Sequence, residues 1–185
     1  MIALAASGMA LALAGCGKMG QVEQGRVIAY DAQTRRVTLI RESPGARSNP
    51  GVLPPVTVEA PADPNEMGPA PAAGGLLLLD TRQRRIVIYD RARQSFRTIH
   101  YAPLAERHNV PKNAVPSAVD RGGKTVTIYS PKEHTLITFP VSDELLAMPV
   151  DTWRSGDVVR YYYKDPAHAL RLMNVTQTDL SKSAG

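Results

Sequence analysis

Three segments of the chain share one pattern of apolar and polar positions. In each, a run of β-branched residues ends in a tyrosine, a polar turn follows, and a second apolar run completes the segment. The tyrosine always precedes an Asp or a Ser, whose side chain can begin a turn. Such runs on both sides of a polar turn indicate strands. The pattern predicts hairpins with strands at 27–31 and 37–40, 86–90 and 96–99, and 126–130 and 136–139.

A fourth, less similar hairpin is predicted at 157–175. One short helix is predicted at 142–148, where a serine that can cap a helix precedes two acidic residues. The segment 153–159 resembles the turn into a strand of small OB-like and SH3-like barrels. Recurring hairpins favour a barrel or a sandwich, because closure of a sheet removes its exposed edges. We therefore expect a mainly β fold of repeated hairpins that form a small barrel or sandwich (OB-like or SH3-like), with one short helix.

Proline and glycine are concentrated in 43–75, which holds 8 of the 15 prolines and 5 of the 14 glycines. Within this segment, 56–59 is predicted to be an edge strand, because the prolines that flank it cannot donate hydrogen bonds to a neighbouring strand. Residues 103–123 lack a clear period and are expected to form a long connection. The expected organisation is one β-rich domain over 25–178, with the proline- and glycine-rich insertion 43–75 and a flexible tail at 179–185.

The beginning of the chain has the features of a secretory signal. Residues 2–14 are all apolar or small, and this run is shorter than the ~20 residues that span a membrane. We predict a lipoprotein signal peptide at 1–15, cut before the cysteine that follows, and a lipidated tether at 16–24. An ordinary N-terminal helix that ends in cysteine is the alternative. Four residues resemble the lipobox that the signal peptidase of bacterial lipoproteins recognises: Leu13, Ala14, Gly15 and Cys16.

Lipidation of Cys16 would hold the protein at a membrane. One fatty chain such as palmitate binds membranes only marginally, whereas several chains together make the attachment stable. The next residue is Gly17 and not the Asp that retains proteobacterial lipoproteins at the inner membrane, so the similarity indicates the periplasmic side of the outer membrane. Cys16 is the only cysteine. Its lipidation would leave no thiol for disulfides, for CxxCH haem attachment or for a cysteine-ligated metal.

The formal net charge is +5, and arginine is concentrated in one short stretch. We interpret this stretch as a candidate surface for an anionic partner, such as lipopolysaccharide, phospholipid headgroups or an acidic envelope protein. Nucleic acid is not an expected partner, because the domain is exported. The alternative is that the arginines line solvated strand faces, where charge discourages aggregation. The six residues are Arg82, Arg84, Arg85, Arg91, Arg93 and Arg97.

The sequence offers no recognisable catalytic or metal-binding motif. The four histidines have no partner at metal-ligand spacing, and HExxH, GxSxG, SxxK and P-loop motifs are missing. We therefore expect no catalytic residue, no metal, no cofactor and no enzyme activity. The histidines are His100, His108, His134 and His168.

Tyr161, Tyr162 and Tyr163 follow one another in a predicted strand. Because successive side chains of a strand point to opposite faces, the three rings must occupy both faces. One face is expected to pack in the core, and the other is a candidate aromatic surface that could bind sugars or a peptide together with nearby arginines. The alternative is that the rings form cross-strand pairs that only stabilise the sheet.

Five short segments, at 16–23, 53–57, 62–69, 87–90 and 162–176, share a further resemblance. Together they resemble an uncharacterised family of small lipoproteins found mainly in sulfate-reducing bacteria, known as domain of unknown function 4881. The resemblance would cover nearly the whole mature chain, and it implies no activity.

We therefore expect a membrane-anchored periplasmic lipoprotein whose domain binds or scaffolds an envelope component without catalysis. Its expected partners are the membrane, through the N-terminal lipid, and an envelope protein or anionic envelope polymer. One alternative is an accessory factor of a periplasmic enzyme or electron-transfer complex. A third class is a hydrolase, which would need a cleft where histidine and carboxylates gather.

Overall fold

The computed structural model describes residues 19–41, 53–111, 118–130 and 133–178. Across these residues the chain forms strands and one short α-helix, joined by tight turns. The elements in chain order are β1 (Gln21–Asp31), β2 (Arg36–Arg41), β3 (Val56–Glu59), β4 (Leu76–Asp80), β5 (Arg85–Asp90), β6 (Ser95–His100), β7 (Ala105–Arg107), β8 (Ala118–Asp120), β9 (Thr125–Ser130), β10 (Thr135–Pro140), α1 (Asp143–Leu146), β11 (Val158–Asp165) and β12 (His168–Asn174).

Five strands form a closed barrel in the order β1, β11, β12, β3, β2. The first half of β1 pairs with β11 and the second half pairs with β2, with a bulge between Val27 and Ala29. A bulge bends the strand, which lets one long strand serve both neighbours. The interior of the barrel is filled by β-branched and leucine side chains and by two tyrosines. Its buried residues are Val27, Val37, Leu39, Val58, Ala60, Val159, Tyr161, Tyr163, Ala169 and Leu172.

Two expectations about the barrel need correction. Val56–Glu59 is a strand, but it is not an edge, because β3 pairs with β2 on one side and meets β12 at Glu59 on the other. The flanking prolines lie outside the strand, so its own backbone groups remain available on both sides. In addition, β1 begins at Gln21, so residues 21–24 are strand where a tether was expected. Their side chains are mostly polar, and only the pairing with β11 identifies them as strand.

The remaining strands form a second unit of two sheets, here called the two-sheet unit. One sheet has the order β4, β5, β6, and the other has the order β7, β10, β9, β8. Side chains from both sheets meet in an apolar core that α1 and the segment around Trp153 complete. Its buried residues are Leu76, Ile86, Ile88, Tyr101, Val126, Ile128, Ile137, Phe139, Leu145 and Trp153. The expectation of a mainly β fold with a barrel and one short helix is therefore confirmed.

The barrel and the two-sheet unit join through a small apolar cluster. Ile28 and Ile40 point outward from the barrel and pack against Tyr89 of β5. Because Ile86 and Ile88 face the other core, β5 is buried on both faces. The backbones also come close at this junction. A Cβ added to Gly156 would overlap the carbonyl oxygen of Val27, so only glycine fits there.

Five hairpin turns use the same local chemistry. The Asp or Ser that ends the first strand accepts a hydrogen bond from a backbone N–H two or three residues later. The residue before the second strand has a positive φ between 49° and 52° in all five turns. Three of these turns belong to the predicted hairpins, and the fourth predicted hairpin is β11–β12. The β4–β5 and β8–β9 turns were not predicted. In these five turns, the residues with positive φ are Arg35, Arg84, Gln94, Lys124 and His134.

The short helix lies where the sequence predicts it. Ser142 caps α1 by accepting a hydrogen bond from the backbone N–H of Leu145, at 3.4 Å between the two heavy atoms. Leu145 and Leu146 are buried and cover one end of the two-sheet unit. The segment 103–123, expected to be a long connection, contains the short strands β7 and β8 within its described part.

Candidate functional site

The six arginines do not form one surface. They divide into two groups at opposite ends of β5, and a strand of six residues spans about 20 Å. The group before β5 lies in or beside the β4–β5 turn, and the group after it lies in the β5–β6 turn and on β6. The first group comprises Arg82, Arg84 and Arg85, and the second comprises Arg91, Arg93 and Arg97.

Carboxylates from distant parts of the chain face the second group. Arg91 forms an ion pair with Asp151. The Nη1 atoms of Arg93 and Arg97 lie 2.8 Å and 3.0 Å from Oε1 of Glu144. The hydrogen bonds and the charges of these two guanidiniums lower the pKa of Glu144. We use the name arginine–carboxylate cluster for Arg91, Arg93, Arg97, Asp90, Glu144 and Asp151.

Asp90 is the fixed member of this cluster. Its side chain is only 7% exposed. Its Oδ1 accepts from the backbone N–H of Ala92 at 3.1 Å and of Arg93 at 3.2 Å. Its Oδ2 lies 3.6 Å from Nη1 of Arg97 and 3.8 Å from Nη1 of Arg93. The backbone N–H groups of the turn therefore fix the Asp90 carboxylate next to the guanidiniums of Arg93 and Arg97.

Glu144 is the exchangeable member. Its side chain is 54% exposed, and that of Arg93 is 58% exposed. Ion pairs between exposed groups contribute little to stability, so water or another anion competes well for the arginines. A guanidinium binds carboxylates and phosphates through two parallel hydrogen bonds. A hollow of about 260 Å³, lined in part by Met148, Pro149 and Thr152, lies beside the pair. The cluster can therefore bind an incoming anionic group next to a partly apolar surface.

The first group of arginines has a different setting. Nη2 of Arg85 lies 3.9 Å from Oδ2 of Asp80. Arg82 lines a shallow polar hollow of about 370 Å³ at the edges of both sheets. The other residues of this hollow are Thr81, Glu106, His108, Glu133 and Thr135.

Histidine, carboxylates and a hydroxyl do meet in this polar hollow. Nδ1 of His108 lies 3.1 Å from Oγ1 of Thr135, and its Nε2 lies 3.9 Å from Oε2 of Glu106. However, the Thr135 hydroxyl donates its proton to the backbone carbonyl of Glu133 at 2.9 Å. The histidine can then only donate to that oxygen, so it does not act as a base toward it. This arrangement positions the His108 ring and does not activate a nucleophile.

The four histidines do not gather in one cleft. All of them are exposed, and only His108 lines one of the two hollows described above. Among the residues that the structure describes, no three His, Cys, Asp or Glu side chains gather closely enough to hold a metal ion.

The three consecutive tyrosines separate as strand geometry requires. Tyr161 and Tyr163 point into the barrel, and their rings stack with centroids 5.4 Å apart. The Tyr161 hydroxyl donates to Oε2 of Glu23 at 2.7 Å. The Tyr163 hydroxyl shares its proton between Oε1 of Gln21 at 2.7 Å and Oε1 of Glu23 at 3.0 Å. Glu23 and Gln21 lie directly opposite these tyrosines on β1. The two tyrosines therefore form a hydrogen-bonded network at one end of the barrel and not an open aromatic surface.

Burial and hydrogen bonding shift the pKa values of Glu23 and Tyr161 in opposite directions. Partial burial disfavours the ionised form of Glu23, but the hydrogen bonds from both tyrosines and the nearby Arg41 guanidinium outweigh it and lower the pKa of Glu23. Burial raises the pKa of Tyr161 far above its ordinary value, and the hydrogen bond to Glu23 adds to this rise. The network is thus an ionised carboxylate held by two neutral phenols.

Tyr162 is the tyrosine that faces outward. It is half-buried, because its ring covers Gly20, where an added Cβ would overlap the ring atoms. Of the predicted aromatic surface, only this ring therefore reaches the outside of the barrel.

The predicted lipidation residue Cys16 and the predicted peptidase-recognition residues Leu13, Ala14 and Gly15 lie outside the described residues. The chain enters the barrel at Gln21, so four residues separate Cys16 from the first strand. No helix within the described ranges is long and apolar enough to cross a membrane.

Several members of these sites could not be recognised in the sequence. Glu144 and Asp151 lie 47 and 60 residues from the arginines that they contact. Glu23 lies 138 residues from Tyr161, in the segment 16–24 that the sequence predicts to be a tether. Only the pairing of β1 with β11 brings it opposite the tyrosines, and no local pattern signals that pairing.

A family model described as a domain of unknown function, DUF4881, matches residues 18–183. Neither the curated proteins nor the solved structures contain a significant match to this chain.

Proposed function

The chain belongs to the DUF4881 family, a family of unknown function, and from this premise we propose that it is a non-enzymatic lipoprotein of the bacterial cell envelope. Cys16 carries the lipid, and the domain faces the periplasm, at the outer membrane. The observation that carries this proposal is the sequence Leu13-Ala14-Gly15-Cys16 after an apolar run of signal length. Because only four residues separate Cys16 from β1, the lipid would hold the barrel close to the membrane.

The molecular task that the geometry supports best is the binding of an anionic envelope component. The arginine–carboxylate cluster carries this part of the proposal. Arg93 and Arg97 share the exposed carboxylate of Glu144. The buried carboxylate of Asp90 lies 3.8 Å and 3.6 Å from the same two guanidiniums. A partner that replaces Glu144 keeps both guanidiniums paired, and water solvates the displaced Glu144 carboxylate, which is already 54% exposed.

A second candidate task is that of an accessory factor for a periplasmic enzyme or electron-transfer complex. The partly apolar hollow beside the cluster, lined by Met148 and Pro149, favours a protein partner over a purely polar polymer. In this case the partner would present an acidic side chain next to an apolar one.

Crosslinking of the full-length protein in its native membrane, followed by mass spectrometry, tests both tasks. We expect the anchored protein to capture a specific partner through the cluster, and a Cys16→Ala variant to lose it. The double variant Arg93→Gln and Arg97→Gln should also lose the partner. Its matched control, Arg82→Gln with Arg84→Gln, removes the same charge at the other end of β5 and should retain it. Equal capture by both double variants would overturn the assignment to the cluster.

A further inference from the structure

The outside of the barrel carries an apolar patch beside its N-terminal entry. Among the described residues, five large apolar side chains are strongly exposed, and three of them lie in this patch. Met19 is 89% exposed, Val22 is 62% exposed and Leu170 is 48% exposed. The half-buried ring of Tyr162 lies between them. We call Met19, Val22, Tyr162 and Leu170 the tether-side patch.

Strand pairing brings these residues together. Val22 on β1 lies directly opposite Tyr162 on β11, and Tyr162 lies opposite Arg171 on β12. The register shifts after this pair, so Leu170 and Arg171 are both exposed although they are consecutive. The patch thus spans three neighbouring strands on one outer face of the barrel. The Tyr162 ring over Gly20 fixes the point where Met19 joins this face.

Three basic side chains border the patch on β11 and β12. Arg160 and Lys164 lie two positions before and after Tyr162, so they share its face of β11. Arg160 donates to the Gln24 side chain, and Arg171 is paired with Glu66. An apolar centre with an aromatic ring and a basic rim is the composition of surfaces that rest in the headgroup region of a bilayer.

The position of the patch along the chain indicates the same partner. Met19 is three residues from Cys16, and three extended residues reach at most about 11 Å. A lipid on Cys16 would therefore keep Met19, the first residue of the patch, within about 11 Å of the lipidated cysteine at the bilayer surface.

We propose that the tether-side patch lies on the surface of the membrane that holds the lipid, and so sets the orientation of the barrel. This inference rests on the proposed lipid anchor. The lipid supplies the attachment, and the patch supplies a defined orientation, because two linked contacts restrict rotation more than one. Val22 and Leu170 enter the headgroup region, and Arg160 and Lys164 contact lipid phosphates at its rim.

Spin labels at matched positions test this orientation on the mature lipidated chain in vesicles of phosphatidylethanolamine and phosphatidylglycerol. Val22→Cys places the label in the patch, and Leu104→Cys places it at a residue of similar exposure, 64%, beside β7 in the two-sheet unit. Leu170→Cys is a second reporter, in case a label at Val22 disturbs β1.

We expect the labels at 22 and 170 to be about threefold or more less accessible to a water-soluble nickel chelate on vesicles than in detergent. The reason is that a surface-bound apolar face lies several ångströms inside the headgroup boundary. The label at 104 should keep the accessibility that it has in detergent. Equal accessibility at all three positions on vesicles would overturn the proposal while leaving the anchor intact. A second spin label on Cys16, seen in the intact mass, would show a free thiol there and overturn the anchor itself, and with it this orientation.

Discussion

The interior of the two-sheet unit is apolar, and Ile86, Ile128, Phe139 and Trp153 are fully buried there. The polar atoms that do enter this core, Nε1 of Trp153 and the hydroxyl of Tyr101, have no hydrogen-bond partner within the described residues. The barrel differs, because two of its interior tyrosines direct their hydroxyls to a carboxylate. The two-sheet unit is thus stabilised mainly by packing, whereas one end of the barrel is stabilised by directional hydrogen bonds.

A second polar group in the barrel shows the same difference. Asp157, only 8% exposed, accepts hydrogen bonds from the side chains of Asn174 and Gln177 and from the backbone N–H of Ala72. These bonds join β12 and the segment before β4 to the start of β11. The comparison indicates that the barrel is sensitive to loss of single polar groups, whereas the two-sheet unit is sensitive to loss of volume.

The largest expected effect is the loss of packing in the two-sheet unit. Trp153→Ala removes a fully buried indole and should lower the free energy of unfolding by about 3–5 kcal/mol. Urea unfolding followed by circular dichroism measures this change. Val150→Ala, at a residue that is 50% exposed three positions earlier, should change stability by less than about 0.5 kcal/mol. Equal effects would contradict the central role of packing.

The next effect is the loss of the buried carboxylate in the barrel. Asp157→Ala leaves the Asn174 amide and the Ala72 N–H without their acceptor and should cost about 2–3 kcal/mol in the same urea experiment. The matched control is Asp120→Ala, which removes an exposed turn carboxylate that accepts from Gly123 and should cost about 1 kcal/mol or less. A smaller loss for Asp157→Ala than for its control would refute this role.

A pair of tyrosine variants separates the two interiors most cleanly. Tyr161→Phe removes a hydroxyl that donates to Glu23 and should cost about 1–2 kcal/mol. Tyr101→Phe removes a buried hydroxyl that has no partner within the described residues, so it should leave stability unchanged or raise it. Thermal unfolding of both variants measures the difference. If both variants lose the same stability, the hydrogen bond from Tyr161 to Glu23 makes no net contribution to the free energy of unfolding.

The charge of Glu23 makes the barrel sensitive to acid. Its pKa in the folded protein lies below the ordinary value of 4.5, so its contribution is complete above pH 4.5 and is lost as the pH falls through the folded pKa. Glu23→Gln should therefore lose stability at pH 7 and show a weaker loss as the pH falls below 4.5 than the unchanged protein. If the free energy of unfolding of both proteins falls equally with pH, protonation of Glu23 is not coupled to unfolding.

The smallest effect is expected in the hairpin turns, whose type occurs in both the barrel and the two-sheet unit. Arg84 has a φ of 50°, which costs energy for any residue with a Cβ, so Arg84→Gly should raise stability by up to about 1 kcal/mol. Arg35→Gly relieves the same strain in the barrel but also removes the ion pair with Glu59 at 2.5 Å. We therefore expect a smaller gain from Arg35→Gly, which differential scanning calorimetry can resolve. A larger gain from Arg35→Gly would contradict a stabilising role of the Arg35–Glu59 ion pair.

The hairpins could be predicted because their information is local. Asp31, Asp90 and Ser130 begin turns whose chemistry depends on the next few residues. The β4–β5 hairpin escaped prediction because β4 is a run of leucines, which does not alternate. The strand pairing that closes the barrel could not be predicted, because β1 meets β11 more than 130 residues later. The candidate sites could not be predicted for the same reason, since Glu23, Glu144 and Asp151 contact partners that lie 138, 47 and 60 residues away in the chain.

The most direct test of the proposed function is the mass of the N-terminal peptide of the full-length protein, extracted from its own membrane. We expect this peptide to begin at Cys16 and to carry a diacylglyceryl group on sulfur, with or without a further acyl chain on the amine. The matched Cys16→Ala protein should keep the residues before position 16 and carry no lipid. An unchanged protein whose first residue lies upstream of Cys16, or whose Cys16 is a free thiol, would contradict the anchor and the envelope function that depends on it.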